Sequence, residues 1–337
     1  MVIGGPRGPD RVRPLREVLT ATGAGLDLAT HVAGPIPAET MAAVHESDEM
    51  ELRVGRVGPD RADDLEQRHK EARAVVAAVI KASPERIVLT HGVADAARAV
   101  ATALLLMRTA AERRVLLVQG LAAPVEAAVR AAAEATGAPV EVVPEAPQIV
   151  AADVALLALA HVDADGRLAD STHVADAAHK GGARVLLDAS LSVGATPTDA
   201  KALRADAIIA DTHRWLLGPE AVAFAWLDPG LGAELPAALG SSPASFGRGA
   251  LLALARSVGW LLMYVELPWA IGRTEDLAER LYDDLGAIDG LELIADPAAH
   301  GAIAAMRISD WDAESAADEL GRSVFAIVEA DTDADVL

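Results

Sequence analysis

Three observations predict an α/β protein with a mostly parallel central sheet, helices on both faces and a smaller α+β part. Short apolar or β-branched runs alternate with alanine-rich helical stretches from Ile87 to Trp226. Apolar residues make up 52% of the 337-residue chain while aromatics supply only 3%, so Ala, Val and Leu have to fill the interior. The length exceeds what one small core organises and calls for a large domain plus a smaller one. Strands separated by helices form right-handed βαβ units, and such units bury a parallel sheet on both faces.

The elements follow in order. Residues 1–60, rich in Gly, Pro and charge, read as an arm with short helices that belongs to the small domain. Arg61–Lys81 has helical periodicity and many charges, which predicts a surface helix. A large α/β domain over residues 61–245 then carries strands at Ile87–Thr90, Arg114–Val118, Val140–Val143, Asp153–Ala160, Arg184–Asp188, Ala207–Ala210 and Val222–Trp226. Helices at Val93–Met107, Pro124–Thr136 and Ser171–Lys180 lie between them. Residues 246–337 read as a connecting helix from Leu251 to Leu285 and a shortened α+β domain. Its strands fall at Leu291–Ile294, Ala302–Ile308 and Ser323–Glu329, with a helix at Ala313–Leu320.

Composition narrows function. A formal charge of −21 argues against nucleic acid and against an anionic membrane surface, because both need clustered cations. With no cysteine, thiolate catalysis, disulfides and cysteine-based metal sites are excluded. Ala250–Ile271 is apolar enough to raise the question of a membrane span, but Arg256, Glu266 and Pro268 inside it favour a buried helix. The N-terminus lacks an apolar signal core, so the expected location is the cytoplasm. No dinucleotide fingerprint or P-loop occurs. Lysine is scarce: Lys70, Lys81, Lys180 and Lys201 are the full set.

Four segments, taken in order, resemble the class V aminotransferase and cysteine desulfurase family, which also includes isopenicillin N epimerase-like proteins and ergothioneine-pathway C–S lyases. They are LDLATHVAGPIP (Leu26–Pro37), IVLTHGVADAA (Ile87–Ala97), ARVLLDASLSVGATPTDAKALRAD (Ala183–Asp206) and DTHRWLLGPEAVAFAW (Asp211–Trp226). The last two are the specific ones. The resemblance covers roughly residues 20–330 and implies a fold-type I pyridoxal-phosphate transferase fold, a dimer with sites at its interface, and a set of cofactor positions. Thr90, His91 and Gly92 stand at the turn and helix start that receive the phosphate. Asp188 stands where an aspartate pairs with the pyridinium nitrogen and makes the ring an electron sink. His213 matches the family histidine. The following residue, a lysine in the family, is Arg214.

A Schiff base needs an amine lone pair, and a guanidinium is delocalised and protonated at any working pH. The resemblance therefore implies that no cofactor is held covalently. Other departures agree. Asp211 replaces a serine-like phosphate ligand, and a carboxylate ~4 Å from a phosphate dianion costs several kcal/mol at an effective dielectric of about 20. Leu191 replaces a glutamine that supports the ring hydroxyl. The segment Gly120–Ala123 offers no ring to stack on the cofactor, and Ser245–Ala250 lacks the expected threonine. Relatives continue beyond Leu337 into an Arg-bearing strand that clamps a substrate carboxylate.

Each residue also has a plainer reading. Asp188 is either a cofactor partner or a strand-end carboxylate left by descent. His91, His161 and His213, with Arg214, either form a basic pocket for a small anion or are polar residues satisfied by neighbours. Their separations match no local metal pattern, so no metal site is expected. Arg214 has Asp211 three residues away as a ready ion-pair partner. Ser190 and Ser192 lack the G-x-S-x-G elbow of a hydrolase. The expected function is a catalytically degenerate family member that scaffolds or regulates a dimer, as a homodimer or with a catalytic paralogue. The alternatives are a pyridoxal-phosphate-dependent desulfurase, C–S lyase or aminotransferase working without its own lysine, and a small-anion binding module.

Overall fold

The computed structural model describes residues 26–332 and 334–337, together with Leu15, Val18 and Leu19. The first part of the predicted arm lies outside the described residues. Elements in chain order are β1 (Leu26–Asp27), α1 (Ala38–Val54), α2 (Arg61–Val79), β2 (Ile87–Thr90), α3 (Val93–Leu106), β3 (Arg114–Val118), α4 (Ala123–Thr136), β4 (Val140–Val143) and β5 (Val154–Ala160). They continue as α5 (Ser171–Gly181), β6 (Arg184–Asp188), β7 (Ala207–Asp211), β8 (Ala223–Leu227), α6 (Leu235–Leu239), α7 (Arg248–Trp260) and α8 (Leu267–Gly286). The last are β9 (Leu291–Leu293), β10 (Met306–Ile308), α9 (Ala313–Val324) and β11 (Ala326–Ile327).

Seven strands form the main sheet in the order β2-β8-β7-β6-β5-β3-β4. Only β8 runs antiparallel to its neighbours. The other six share one direction, so the carboxyl ends of β2, β5, β6 and β7 lie along one edge. Period-two alternation sorts side chains between the faces. Ile87, Leu89, Val185, Leu187, Ile208, Ala210, Phe224 and Trp226 face a core built with α2, α5 and α7. Val88, Leu186, Ala207, Ile209, Ala223 and Ala225 face the opposite core with α3 and α4. Alanines such as Ala97, Ala101, Ala128 and Ala132 let α3 and α4 approach closely without large rings. A fully buried Leu or Phe in either layer contributes about 1.5–3 kcal/mol.

The structure corrects several boundaries. Within the described part of the arm, Ala38–Val54 form a single 17-residue helix, α1. Helix α2 is not merely a surface element: Leu65, His69, Ala72 and Val76 are buried. The single helix expected over Leu251–Leu285 is three pieces. After α7, a π-helical turn covers Leu261–Val265, Glu266 turns to φ 65°, and α8 restarts with Pro268 in its first turn. Proline has no N–H for the ladder and crowds the turn before it, so the break falls there. Helix α7 carries Leu251, Leu254 and Val258 into the main core. By length and composition alone, Arg248–Val265 is apolar enough to cross a membrane; 44% of it is buried inside the protein. Arg248, at its start, donates to Asp64 at 2.7 Å and to Ser47, which ties α7 to α2 and α1.

At the C-terminal end β10 is short and α9 runs on to Val324, so little of the strand expected at Ser323–Glu329 remains. Those two residues, β11, pair in parallel with β1 of the arm, and β9 pairs antiparallel with β10. Helix α9 is capped by Asp312, whose carboxylate accepts from the Ser315 N–H at 2.8 Å. Asp312→Ala is expected to lower stability by about 1 kcal/mol, readable as a shift in the urea midpoint at constant slope.

Candidate functional site

The sequence-predicted residues all lie at the carboxyl edge of the sheet, but they do not form one pocket. Thr90 ends β2, and its hydroxyl donates to the Gly92 carbonyl at 3.0 Å. Gly92 precedes α3 in extended conformation. His91 Nε2 lies 3.2 Å from Ser245 Oγ, and its ring stacks on Phe246 with centroids 4.4 Å apart. His161 follows β5, on the far side of β8, β7 and β6. Four strand spacings of about 4.8 Å put His91 and His161 roughly 19 Å apart. Of the two readings of these histidines, a shared basic pocket is not what the fold builds: strand order, which sequence spacing does not report, keeps His91 and His161 apart.

His161 is buried and structural in its contacts. Its backbone N–H donates to the Asp188 carbonyl at 2.8 Å. Its Nδ1 lies 2.9 Å from Ser192 Oγ, which itself donates to the Ala189 carbonyl. With the Ser192 hydroxyl proton directed to the Ala189 carbonyl, Nδ1–H is assigned as the donor of this pair. Burial pushes the His161 pKa down to about 4.

Asp188, Ser190, Asp211 and Arg214 form the charged centre. Asp188 ends β6 and is 4% exposed. Its Oδ1 accepts from the Ser190 N–H at 3.0 Å and the Ser190 hydroxyl at 2.6 Å. Ser190 Oγ in turn accepts from the Asp211 N–H at 3.2 Å, bridging the ends of β6 and β7. Burial raises the Asp188 pKa; the Ser190 hydrogen bonds lower it, the Asp211 charge adds to the rise, and Arg214 opposes it. Asp211 Oδ2 lies 3.6 Å from Arg214 Nε, the ion pair expected from their spacing.

The arm closes over this centre. Arg214 donates through one terminal nitrogen to the His31 carbonyl. The Gly34 N–H donates to the His213 carbonyl at 2.8 Å. A Cβ on Gly34 would sit 2.2 Å from the Arg214 carbonyl oxygen, so only glycine fits the crossing. His31 Nε2 also meets Glu329 Oε2 at 2.6 Å, which links the arm to the segment after β11. His213 Nδ1 is buried without a hydrogen-bond partner. Trp215 Nε1 donates to the Leu191 carbonyl at 3.1 Å, so the side chain beside Leu191 is anchored by backbone rather than by a polar partner on that residue. Near Gly120, where the sequence lacks the ring that the family resemblance calls for, the neighbour is Asp163: a Cβ on Gly120 would meet it at 2.9 Å. Burial raises the Asp163 pKa.

Sequence reading missed the roles of His31, Gly34, Ser192 and Asp163. Gly34 was the one available signal, lying inside the quoted arm segment. Among the described residues no three His, Asp or Glu side chains gather into a group that could hold a metal ion.

Comparison with known proteins places this geometry. The sequence model of the family described as aminotransferase class-V matches residues 33–246. That is well over half the chain, and the protein belongs to the class V aminotransferase family. Among solved structures, a mutant of the cystine C–S lyase C-DES, with glycine covalently linked to the PLP cofactor, aligns at TM-score 0.82 and 15% identity, covering 95% of this chain and 93% of that one. The apo cysteine desulfurase from Thermococcus onnurineus NA1 aligns at 0.77 and 16% identity, covering 97% and 88%. The cysteine desulfurase CsdA from Escherichia coli aligns at 0.77 and 18%, covering 93% and 86%. At these identities the likeness establishes the shared fold. A search of curated protein sequences found no match.

Proposed function

We propose that this chain is a catalytically degenerate class V aminotransferase-fold protein that scaffolds or regulates a dimer with a lysine-bearing catalytic paralogue. The observation that carries this reading is the engagement of Arg214. Its guanidinium pairs with Asp211 and donates to the His31 carbonyl. It is a fixed cation with no lone pair to attack an aldehyde.

The surrounding residues do not fit a Schiff-base-linked pyridoxal phosphate either. A carboxylate, Asp211, lies where the resemblance calls for a phosphate donor. Asp163 is packed where it calls for a stacking ring. The buried Asp188 carboxyl is already held by Ser190, and burial raises its pKa, which weakens it as a fixed anion for a pyridinium. No lysine replaces the missing amine: Lys70 and Lys81 sit at or beside α2, and Lys180 and Lys201 lie near the opposite, amino edge of the sheet.

What remains is the family scaffold, with exposed apolar side chains on the arm and α1, including Leu28, Val32, Met41 and Met50. Apolar side chains exposed on these two segments are available for contact with another subunit. The test is native mass spectrometry of this chain mixed with a lysine-bearing class V paralogue from the same organism. The expected result is a one-to-one complex in which the paralogue's turnover changes. Release of sulfide, alanine or a keto acid from cysteine or cystine by this chain alone would overturn the reading. That outcome would favour the desulfurase or lyase alternative, to which the C-DES mutant carrying a glycine–PLP linkage gives some support.

A further inference from the structure

We propose that a hollow at the amino edge of the main sheet, opposite the Arg214 centre, binds a small phosphate-bearing anion. The hollow measures about 450 Å³ and is lined by His179, Arg184, Lys201, Arg204, Asp206 and Asp228 among others. Strand β6 separates it from Asp188 by four residues, or roughly 13 Å. The two places are therefore independent sites on one strand.

The local chemistry runs against that of the whole molecule. The chain carries −21 formal charges, so its mean field repels anions. Yet of its four lysines, Lys81, Lys180 and Lys201 all fall at the element ends that make this edge, after α2, in the last turn of α5 and before β7; Lys81 is paired with Asp199 at 3.4 Å, and of the three Lys201 lines the hollow itself. Asp206 does not cancel them. It is 3% exposed and fully occupied, accepting from the Val185 N–H at 2.8 Å, from Arg184 at 2.6 Å and pairing with His179 at 2.8 Å. It fixes the two basic side chains in place instead of facing the hollow as a free acid. Among the described residues the Lys201 ammonium has no ion pair, and its side chain is exposed. A further guanidinium, that of Arg108, reaches over Gly182: a Cβ there would meet it at 3.2 Å. Arg108 Nε is buried without a hydrogen-bond partner.

Shape and lining select the ligand class. The apolar contribution comes from small residues, Ala183, Ala200 and Ala205, and the ring that lines the hollow, His179, is held by Asp206. Convergent Arg and Lys side chains with a fixed fork are suited to phosphate oxygens. The pocket thus fits a compact phosphorylated molecule or a diphosphate rather than a nucleobase or an apolar ligand.

The experiment is isothermal titration of the full chain with inorganic pyrophosphate at constant ionic strength. The expected result is saturable binding at one site per chain, weakened at least about tenfold in Lys201→Glu, the scale of one lost charge-assisted hydrogen bond. Arg204→Gly is the second variant. Arg204 pairs with Asp176 at 2.5 Å and has φ 57°, a conformation that glycine adopts without strain, so this change removes the cation and uncovers the Asp176 carboxylate while preserving the turn, and it is also expected to weaken binding. No saturable heat with pyrophosphate, or wild-type affinity in both variants, would overturn the proposal.

Discussion

Arg214→Ala is expected to lower stability by about 2–4 kcal/mol, one of the two largest effects in the molecule outside its apolar core. Removing one member of a buried ion pair costs about 3–5 kcal/mol because the partner is left uncompensated. The pair here is partly exposed, at 23% for the Arg214 side chain and 11% for Asp211, so the figure is reduced. The loss has two parts. Asp211 and the buried Asp188 face each other without the intervening cation, and the His31 carbonyl loses the donor that holds the arm. Arg214→Lys restores the charge but not the fork that reaches Asp211 and His31 together, so it is expected to recover only part of the loss. Urea unfolding reads the stability, and limited proteolysis within residues 26–36 reads the arm. Wild-type stability and an equally protected arm in Arg214→Ala would contradict the account.

The second large effect depends on pH. His161 has its pKa depressed by burial from an ordinary 6.5 to about 4. Between those values the unfolded chain binds a proton that the folded chain refuses, so stability rises with pH across that window. The contribution is fully present above pH 6.5. It is lost as pH falls, by roughly 2 kcal/mol at pH 5 and on the order of 3 kcal/mol at pH 4. Asp188 acts in the opposite sense. Its pKa is raised by burial, the charged form disfavours folding, and acidification through the raised value toward 3.8 relieves that cost. His161→Gln isolates the histidine. Urea midpoints for this variant are expected to change less between pH 7.5 and 5 than those of the parent protein. An unchanged pH profile in His161→Gln would show that the imidazole titrates normally.

Much of the large domain was legible because its physics is local. Strand β5, VALLALA, is apolar at every position since a central parallel strand is covered on both faces. Asp188 and Asp211 were placed at strand ends by the apolar runs before them. What could not be read depended on distant partners. The pairing of β1 with β11 joins residues 300 positions apart, and a two-residue strand leaves no periodicity. The π turn after α7 lies within an unbroken apolar stretch, and only Pro268 marked it. The strand order separating His91 from His161 is a property of crossovers, invisible in spacing. The clamp on Arg214 uses a backbone carbonyl, which has no sequence signature; only Gly34, where a side chain would strike the Arg214 carbonyl, hinted at the contact.

The central claim is that a guanidinium engaged by Asp211 and His31 takes the place of a reactive amine, and covalent trapping tests it most directly. The protein would be incubated with pyridoxal phosphate, reduced with borohydride and weighed intact, with peptide mapping of any adduct. The account predicts an unchanged mass at the carboxyl-edge site, in Arg214→Lys as in the parent, because Asp211, Leu191 and Asp163 remain. A stoichiometric reduced-coenzyme adduct mapped to a lysine of the parent chain would contradict it.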